Sequence, residues 1–217
     1  MKAFIFDMDG VIVNSEPVHY KLITKTYAKY GKEFTHEEHK KITGMSYMEI
    51  WKKFVNEHNI LADSMAIHKE HTEALLNEIL HSGTFEISKG IVEFIEDLYK
   101  NGVKLAVASS SSRTLINAVL ERFKLKDKFQ AVVSGEELPK SKPHPGVFLR
   151  ALEELGVKAE EALIVEDSTN GIKAAKAAGV KCLAFLNRGE NEQDISLADH
   201  SFDCFTELSY EKVRKYL

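Results

Sequence analysis

Cysteine is scarce in this chain: there are two in 217 residues, Cys182 and Cys204, and neither sits in a C-x-x-C or other metal-ligand spacing. Two cysteines cannot build a disulfide framework, so a stapled secreted scaffold is excluded. Positive charge is not in surplus either. Lys and Arg number 29 against 33 Asp and Glu, for a net charge of −4; that balance provides no electrostatic footprint for nucleic acid or an anionic membrane. No apolar run approaches the ~20 residues that cross a bilayer, and no basic region leads into an apolar stretch at the start. The glycine motifs that cradle nucleotide phosphates, G-x-x-x-x-G-K-[ST] and G-x-G-x-x-G, are missing too. The expectations are a cytoplasmic monomer with no nucleic-acid partner and no membrane.

What is present is the composition of an ordinary globular protein, 44% hydrophobic and 29% charged. The length suffices for one full core plus a small accessory domain. Residues 3–6 (AFIF) have the look of a strand, yet the next convincing strand, 103–108 (VKLAVA), comes almost a hundred residues later. From about Pro17 to His81 the chain is rich in Lys, Glu and His with helical periodicity, as in Tyr20, Ile23, Tyr27 and Tyr30, then Ile50, Phe54 and Val55. That stretch is a small helical domain, punctuated at Gly31, Gly44 and Gly83.

After Gly90 helices and strands alternate: helix 91–100, strand 103–108, helix 113–123, strand 131–133, helix 146–155, strand 162–165, helix 171–178 and strand 181–185. Such alternation predicts right-handed βαβ units and a parallel sheet covered on both faces. A closing amphipathic helix is expected over 210–217.

Open α/β sheets bind ligands beyond the carboxyl ends of their strands. Here the first strand runs into Asp7 and Asp9, the second into Ser109, and the fourth into Glu166 and Asp167, while Lys142 follows the third in SKPHP. Each has an ordinary alternative. Asp167 could be a turn former or helix cap, Ser109 a residue on the way to a cap, and Lys142 a solvated side chain. All of them falling on corresponding ends of parallel strands is harder to explain that way. Gathered carboxylates repel unless a cation or a shared proton relieves them. Oxygen-rich sites with few protein ligands suit Mg2+, which keeps waters and bridges to substrate phosphate. An amine and a hydroxyl can hold the remaining phosphate oxygens. A carboxylate nucleophile is then the natural option.

The set DMDGV, VASS, SKPHP and IVEDSTNG, in this order across nearly the whole chain, resembles the haloacid dehalogenase superfamily, in its subgroup of sugar-phosphate phosphatases and β-phosphoglucomutases. The resemblance implies a Rossmann-like α/β core over 1–14 and 84–217, with a helical cap domain inserted over 15–83. It implies that Asp7 is the nucleophile, that Asp9 is the general acid/base carrying a proton when the sugar oxygen leaves, and that Ser109 and Lys142 bind the transferring phosphoryl group. Mg2+ would be held by Asp7, the backbone carbonyl of Asp9 and Asp167, with Glu166 as a ligand or behind one. A chlorine-displacing dehalogenase is disfavoured, since that branch needs neither second acid nor metal.

The cap should set the acceptor. His19 matches a β-phosphoglucomutase histidine that assists the acceptor, and Glu16 lies in NSEP, with Asn14 in place of the usual aspartate. Ser110, next to Ser109, joins Glu16, His19 and Tyr47 as expected substrate-binding residues. In TGMSYME, Gly44 and Ser46 match a G-x-S-R cap stretch, but Tyr47 stands where the arginine that grips a distal phosphate should be. Tyrosine cannot make that bidentate charged grip. The expectation is a phosphatase of small phosphorylated sugars or polyols, with β-phosphoglucomutase as the alternative and a phospho-receiver module as a more distant one. Lys52 and Lys53, and the i, i+3 pairs His36/His39 and His68/His71, are expected on solvated helix faces. Trp51 and the cap tyrosines are expected to pack helices.

Overall fold

The computed structural model describes residues 1–42, 45–83, 85–186 and 193–217. Among these, β1 (Ala3–Phe6) leads into a tight turn and β2 (Val13–Asn14). Four helices follow: α1 (Glu16–Lys29), α2 (His36–Ile42), α3 (Tyr47–Glu57) and α4 (Ser64–His81). β3 (Glu86–Ile87) brings the chain back, and α5 (Ile91–Lys100), β4 (Lys104–Ser109), α6 (Arg113–Arg122), β5 (Ala131–Ser134), α7 (Gly146–Leu155) and β6 (Ala162–Glu166) alternate. Then come α8 (Thr169–Ala177), β7 (Lys181–Phe185), β8 (His200–Phe202) and α9 (Tyr210–Val213), which ends in a 3₁₀ turn over Arg214–Tyr216. No helix among the described residues is long and apolar enough to cross a membrane.

The main sheet has the order β5-β4-β1-β6-β7-β8 with every pair parallel. It is the expected Rossmann-like α/β core. Chain order reverses across β1, which has β4 on one side and β6 on the other, so the crevice for a ligand opens at the carboxyl end of β1. β1 shows why the sheet is buried on both faces. Side chains alternate across a strand; Phe4 and Phe6 enter one apolar cluster with Phe94 and Leu105, and Ala3 and Ile5 enter the other with Phe148 and Ile172. Phe4 meets Phe94 edge-on at 5.3 Å and Phe6 meets Phe129 at 5.9 Å. A fully buried Phe contributes about 1.5–3 kcal/mol, so this strand anchors the domain.

β2 and β3 pair antiparallel, Val13 with Ile87 and Asn14 with Glu86. That two-residue ribbon is the stem through which the helical insert leaves and re-enters the core. Arg122 on α6 braces the far end, donating from Nη2 to the Ser82 carbonyl at 2.7 Å and from Nη1 to that of Ile79. The insert also touches the core over the crevice: Glu49 on α3 accepts from the Ser141 hydroxyl, and His68 on α4 lies 3.5 Å from Glu136.

Candidate active site

The ends of β1, β4 and β6 are level, with Phe6 opposite both Val107 and Val165. Asp7 is the next residue, and its N–H donates to the Val165 carbonyl at 3.0 Å, so the sheet ladder itself fixes the carboxylate. Lys142 reaches in from the loop after β5. Its Nζ donates to Asp7 Oδ1 at 2.6 Å, Glu166 Oε1 at 2.7 Å and the Ala108 carbonyl at 3.2 Å. Only 3% of Lys142 is exposed. Burial works against the ammonium, but the carboxylates of Asp7 and Glu166 hold its pKa above the ordinary lysine value.

Glu166 is the last residue of β6 and is boxed in. Its Oε2 accepts from the backbone N–H of Asp167 and of Ser168, both at 2.9 Å, and from the Ser168 hydroxyl at 3.0 Å. A Cβ on Gly171 would lie 1.7 Å from Oε1, so only glycine lets α8 start this close to the glutamate. Gly10 is demanded twice over: its φ is +82°, and a Cβ there would lie 1.9 Å from Asp167 Oδ2. Asp7, Glu166 and Asp167 each offer an oxygen within 4.8 Å of the others.

That crowding shows in proton affinity. Burial, then the charges of Glu166 and Asp9, raise the Asp7 carboxyl well above its usual range against the pull of Lys142. Burial, then Glu166, Asp7 and Glu16, do the same to Asp167. Three carboxylates against one ammonium leave an excess of two negative charges, which a divalent cation fits. With both Glu166 oxygens already hydrogen-bonded, Asp7 and Asp167 are the carboxylates suited to ligate it.

Asp9 faces another way. Its Oδ1 accepts from the Ser15 hydroxyl at 2.8 Å and from His19 Nε2–H at 3.0 Å; its Oδ2 accepts from Ser111 Oγ at 2.7 Å and Ser109 Oγ at 3.3 Å. Burial opposes its charge, but the His19 hydrogen bond and ring charge, with the Ser111 and Ser15 hydroxyls, hold Asp9 down at about 2. The expectation gives Asp9 a proton when the sugar oxygen leaves; in the resting site this cage of donors holds the carboxylate ionised, with His19 beside it. A carboxylate can only accept, which puts a hydrogen on Nε2, and the Tyr47 hydroxyl lies against Nδ1.

One cavity brings together all ten residues singled out in the sequence, Asp7, Asp9, Glu16, His19, Tyr47, Ser109, Ser110, Lys142, Glu166 and Asp167. Several ordinary alternatives do not survive. The caps of α6 and α8 are Ser112 and Ser168, not Ser109 and Asp167. Ser46 caps α3 through the Glu49 N–H, while Gly44 lies outside the described residues. Lys52 is exposed and Lys53 pairs with Glu57, and neither lines the cavity. The histidine expectation needs correction: His39 and His71 are buried, 7% and 2% exposed, because each turns inward on to aromatic rings. His39 meets Tyr20 and Phe34, and His71 meets Tyr47 and Trp51. Sequence reasoning missed the Ser15 and Ser111 hydroxyls; for Ser111 the run of four serines that begins with the last residue of β4 was the available signal.

A parallel sheet with an acid cluster at its central strand ends and helices inserted after the first strand defines the class. The model of the haloacid dehalogenase-like hydrolase family matches residues 4–185, and the chain belongs to that family. Within it, the chain falls in the subgroup of sugar-phosphate phosphatase-like and β-phosphoglucomutase-like enzymes. It is 31% identical over 185 residues to the phosphorylated carbohydrates phosphatase of Thermotoga maritima, covering 83% of each chain. The β-phosphoglucomutase of Clostridium difficile superposes with a TM-score of 0.87 at 25% identity, over 100% of this chain and 96% of that one. CbbY of Rhodobacter sphaeroides, in complex with xylulose-1,5-bisphosphate, superposes with a TM-score of 0.84 at 27% identity, over 96% of each.

Proposed function

We propose that this phosphoric monoester hydrolase is Mg2+-dependent and releases phosphate from small phosphorylated sugars or polyols through an aspartyl phosphate. The observation that carries the reading is the division of the strand-end acids into two environments. Asp7 is held against Lys142 in a cation-hungry cluster, and Asp9 is held ionised in a cage of donors shared with His19. Asp7 attacks phosphorus, the bond from phosphorus to the leaving oxygen breaks, and that oxygen takes the one extra proton carried by the Asp9–His19 pair, which leaves Asp9 ionised beside a neutral His19. In the second half water gives a proton back to the pair and attacks phosphorus, the acyl phosphate bond breaks, and Asp7 is regenerated. Lys142 and the Ser109 and Ser110 side hold the phosphoryl oxygens. Mg2+ held by Asp7, the Asp9 carbonyl and Asp167 would neutralise charge on the transferring group. Residues 15–83 act as the cap that supplies the other wall, with Glu16 and Tyr47 at its edge.

The name of the Thermotoga maritima relative supports a carbohydrate phosphate as substrate. Hydrolysis is favoured over mutase activity because a mutase must grip a bisphosphate at both ends. Among the described residues lining the cavity, Lys142 is the one Lys or Arg, and it lies at the nucleophile. The test is β-glucose 1-phosphate with Mg2+ and a trace of its 1,6-bisphosphate, following glucose 6-phosphate and free phosphate together, alongside a panel of sugar and polyol phosphates. Metal-dependent phosphate release that Asp7→Asn reduces by roughly 10⁴-fold or more is the expected result. Glucose 6-phosphate outrunning phosphate establishes the mutase instead, and activity retained in Asp7→Asn removes the mechanism.

A further inference from the structure

The floor of the cavity is polar; the wall opposite it, with Ser15 and Glu16 at its edge, is largely hydrocarbon. From the helical insert the wall receives Ile23, Ile42, Met45 and Ile50. Three of these are packed tightly, with Ile23, Ile42 and Ile50 only 2%, 5% and 4% exposed, so the surface they present is fixed. Tyr47 stands among them, but its hydroxyl is turned on to the His19 ring. His39, also on this wall, has its ring edge-on to Tyr20 and Phe34 at 5.2 and 5.7 Å. No Asn, Gln or Arg lines the cavity among the described residues.

A leaving group attached to a phosphoryl seated between Asp7 and Lys142 must extend towards this wall. A hydroxyl turned to it gives up water for hydrocarbon, while a methyl or methylene in the same place is favoured. We infer that the leaving-group end of the cavity selects an organic group with a hydrocarbon face: a deoxygenated or methyl-bearing sugar or polyol phosphate, over its fully hydroxylated counterpart. This rests on the phosphatase reading above and narrows its substrate class. Hydrophobic pockets discriminate a single such group by about 10- to 100-fold, which sets the size of the effect.

The experiment measures kcat/KM for the full chain with Mg2+ on matched pairs: 6-deoxyglucose 1-phosphate against glucose 1-phosphate, 2-deoxyribose 5-phosphate against ribose 5-phosphate, and propyl phosphate against glycerol 1-phosphate. The deoxygenated member is expected to lead by about tenfold or more in at least one pair, with no pair reversed. Met45→Gln puts an amide on the same wall at similar volume and should narrow the preference at least threefold. Pairs hydrolysed equally, or better in their hydroxylated form, overturn the inference and leave the phosphatase standing. Failure to release phosphate from every pair and from p-nitrophenyl phosphate removes the phosphatase reading, and the inference goes with it.

Discussion

The sheet rim and the helical insert handle buried polarity in opposite ways. At the rim the carboxylates of Glu166 and Asp9 have donors on both oxygens: Glu166 accepts from Lys142, Ser168 and two backbone amides, and Asp9 accepts from three hydroxyls and His19. In the insert both ring nitrogens of His71, Trp51 Nε1 and Thr72 Oγ1 are buried with no hydrogen-bond partner. Rings pack there instead at tilted angles: His19 on Tyr47 at 5.2 Å, Tyr47 on His71 at 4.6 Å, His71 on Trp51 at 5.1 Å. An unsatisfied buried group costs about 1–3 kcal/mol and a ring pair returns about 0.5–1.5 kcal/mol. The insert therefore contributes shape and hydrocarbon, and electrostatic work is confined to the sheet ends. His19 and Tyr47 are where the two regimes meet.

If the rim depends on its charge pairing, breaking it has the largest effect. Lys142→Met leaves Asp7 and Glu166 facing each other in a buried site, and loss of one partner of such a pair costs about 3–5 kcal/mol. For a chain of this size that is a fall in Tm of roughly 10–15 °C, read by calorimetry, together with loss of phosphate release. The fall should deepen as pH rises, because protonation of Asp7 is the relief that remains. A variant that melts within about 1 °C of the parent at pH 8 would mean that the rim does not depend on this lysine.

The same contrast governs how far the sequence could be read. β1, α5, α7 and β7 coincide with their expected ranges, because an apolar run bounded by Gly, Asp or Lys leaves a buried strand or an amphipathic helix little alternative. The rim was legible for the same reason: acids directly after buried strands are conspicuous. Lys142 was harder, since its partners Asp7 and Glu166 lie 135 and 24 residues away and proline-flanked lysines are commonly solvated. β2 and β3, two residues each, and β8, with His200 and Ser201 exposed, carry no periodic signal. His39 and His71 look like solvent-face residues among Lys and Glu. Their burial is decided by aromatic partners on other helices, which spacing along one helix does not reveal.

The insert is open to a test at intermediate size through His71. Burial, then the nearby His19 and His68, hold its pKa at about 3 against an unfolded value near 6.5, so the native state keeps it neutral and the unfolded state protonates first. Its contribution is intact above pH 6.5 and is lost as pH falls towards 3, at up to about 1.4 kcal/mol per pH unit. At pH 5 that amounts to about 2 kcal/mol, or roughly 4–8 °C in Tm. His71→Phe keeps the ring between Tyr47 and Trp51 but cannot take a proton. It should melt close to the parent at pH 7.5 and above it at pH 5. Parallel pH profiles for the two proteins would show that the insert tolerates a buried charge there, and the contrast with the rim would weaken.

The smallest effect belongs to the junction. Burial, then the Asp9 charge, raise the Tyr47 phenol well above its usual value, so the hydroxyl against His19 keeps its hydrogen across the working pH range. Tyr47→Phe removes that one hydrogen bond and leaves the ring packed against His71. A hydrogen bond of this kind is worth about 0.5–1.5 kcal/mol, or roughly two- to tenfold in rate. Because the hydroxyl acts on His19, which in turn holds Asp9, the loss should fall on kcat and leave KM for a sugar phosphate unchanged. A rise in KM at constant kcat would place the hydroxyl on the substrate, and the insert wall would then be polar where Ile42 and Met45 make it hydrocarbon.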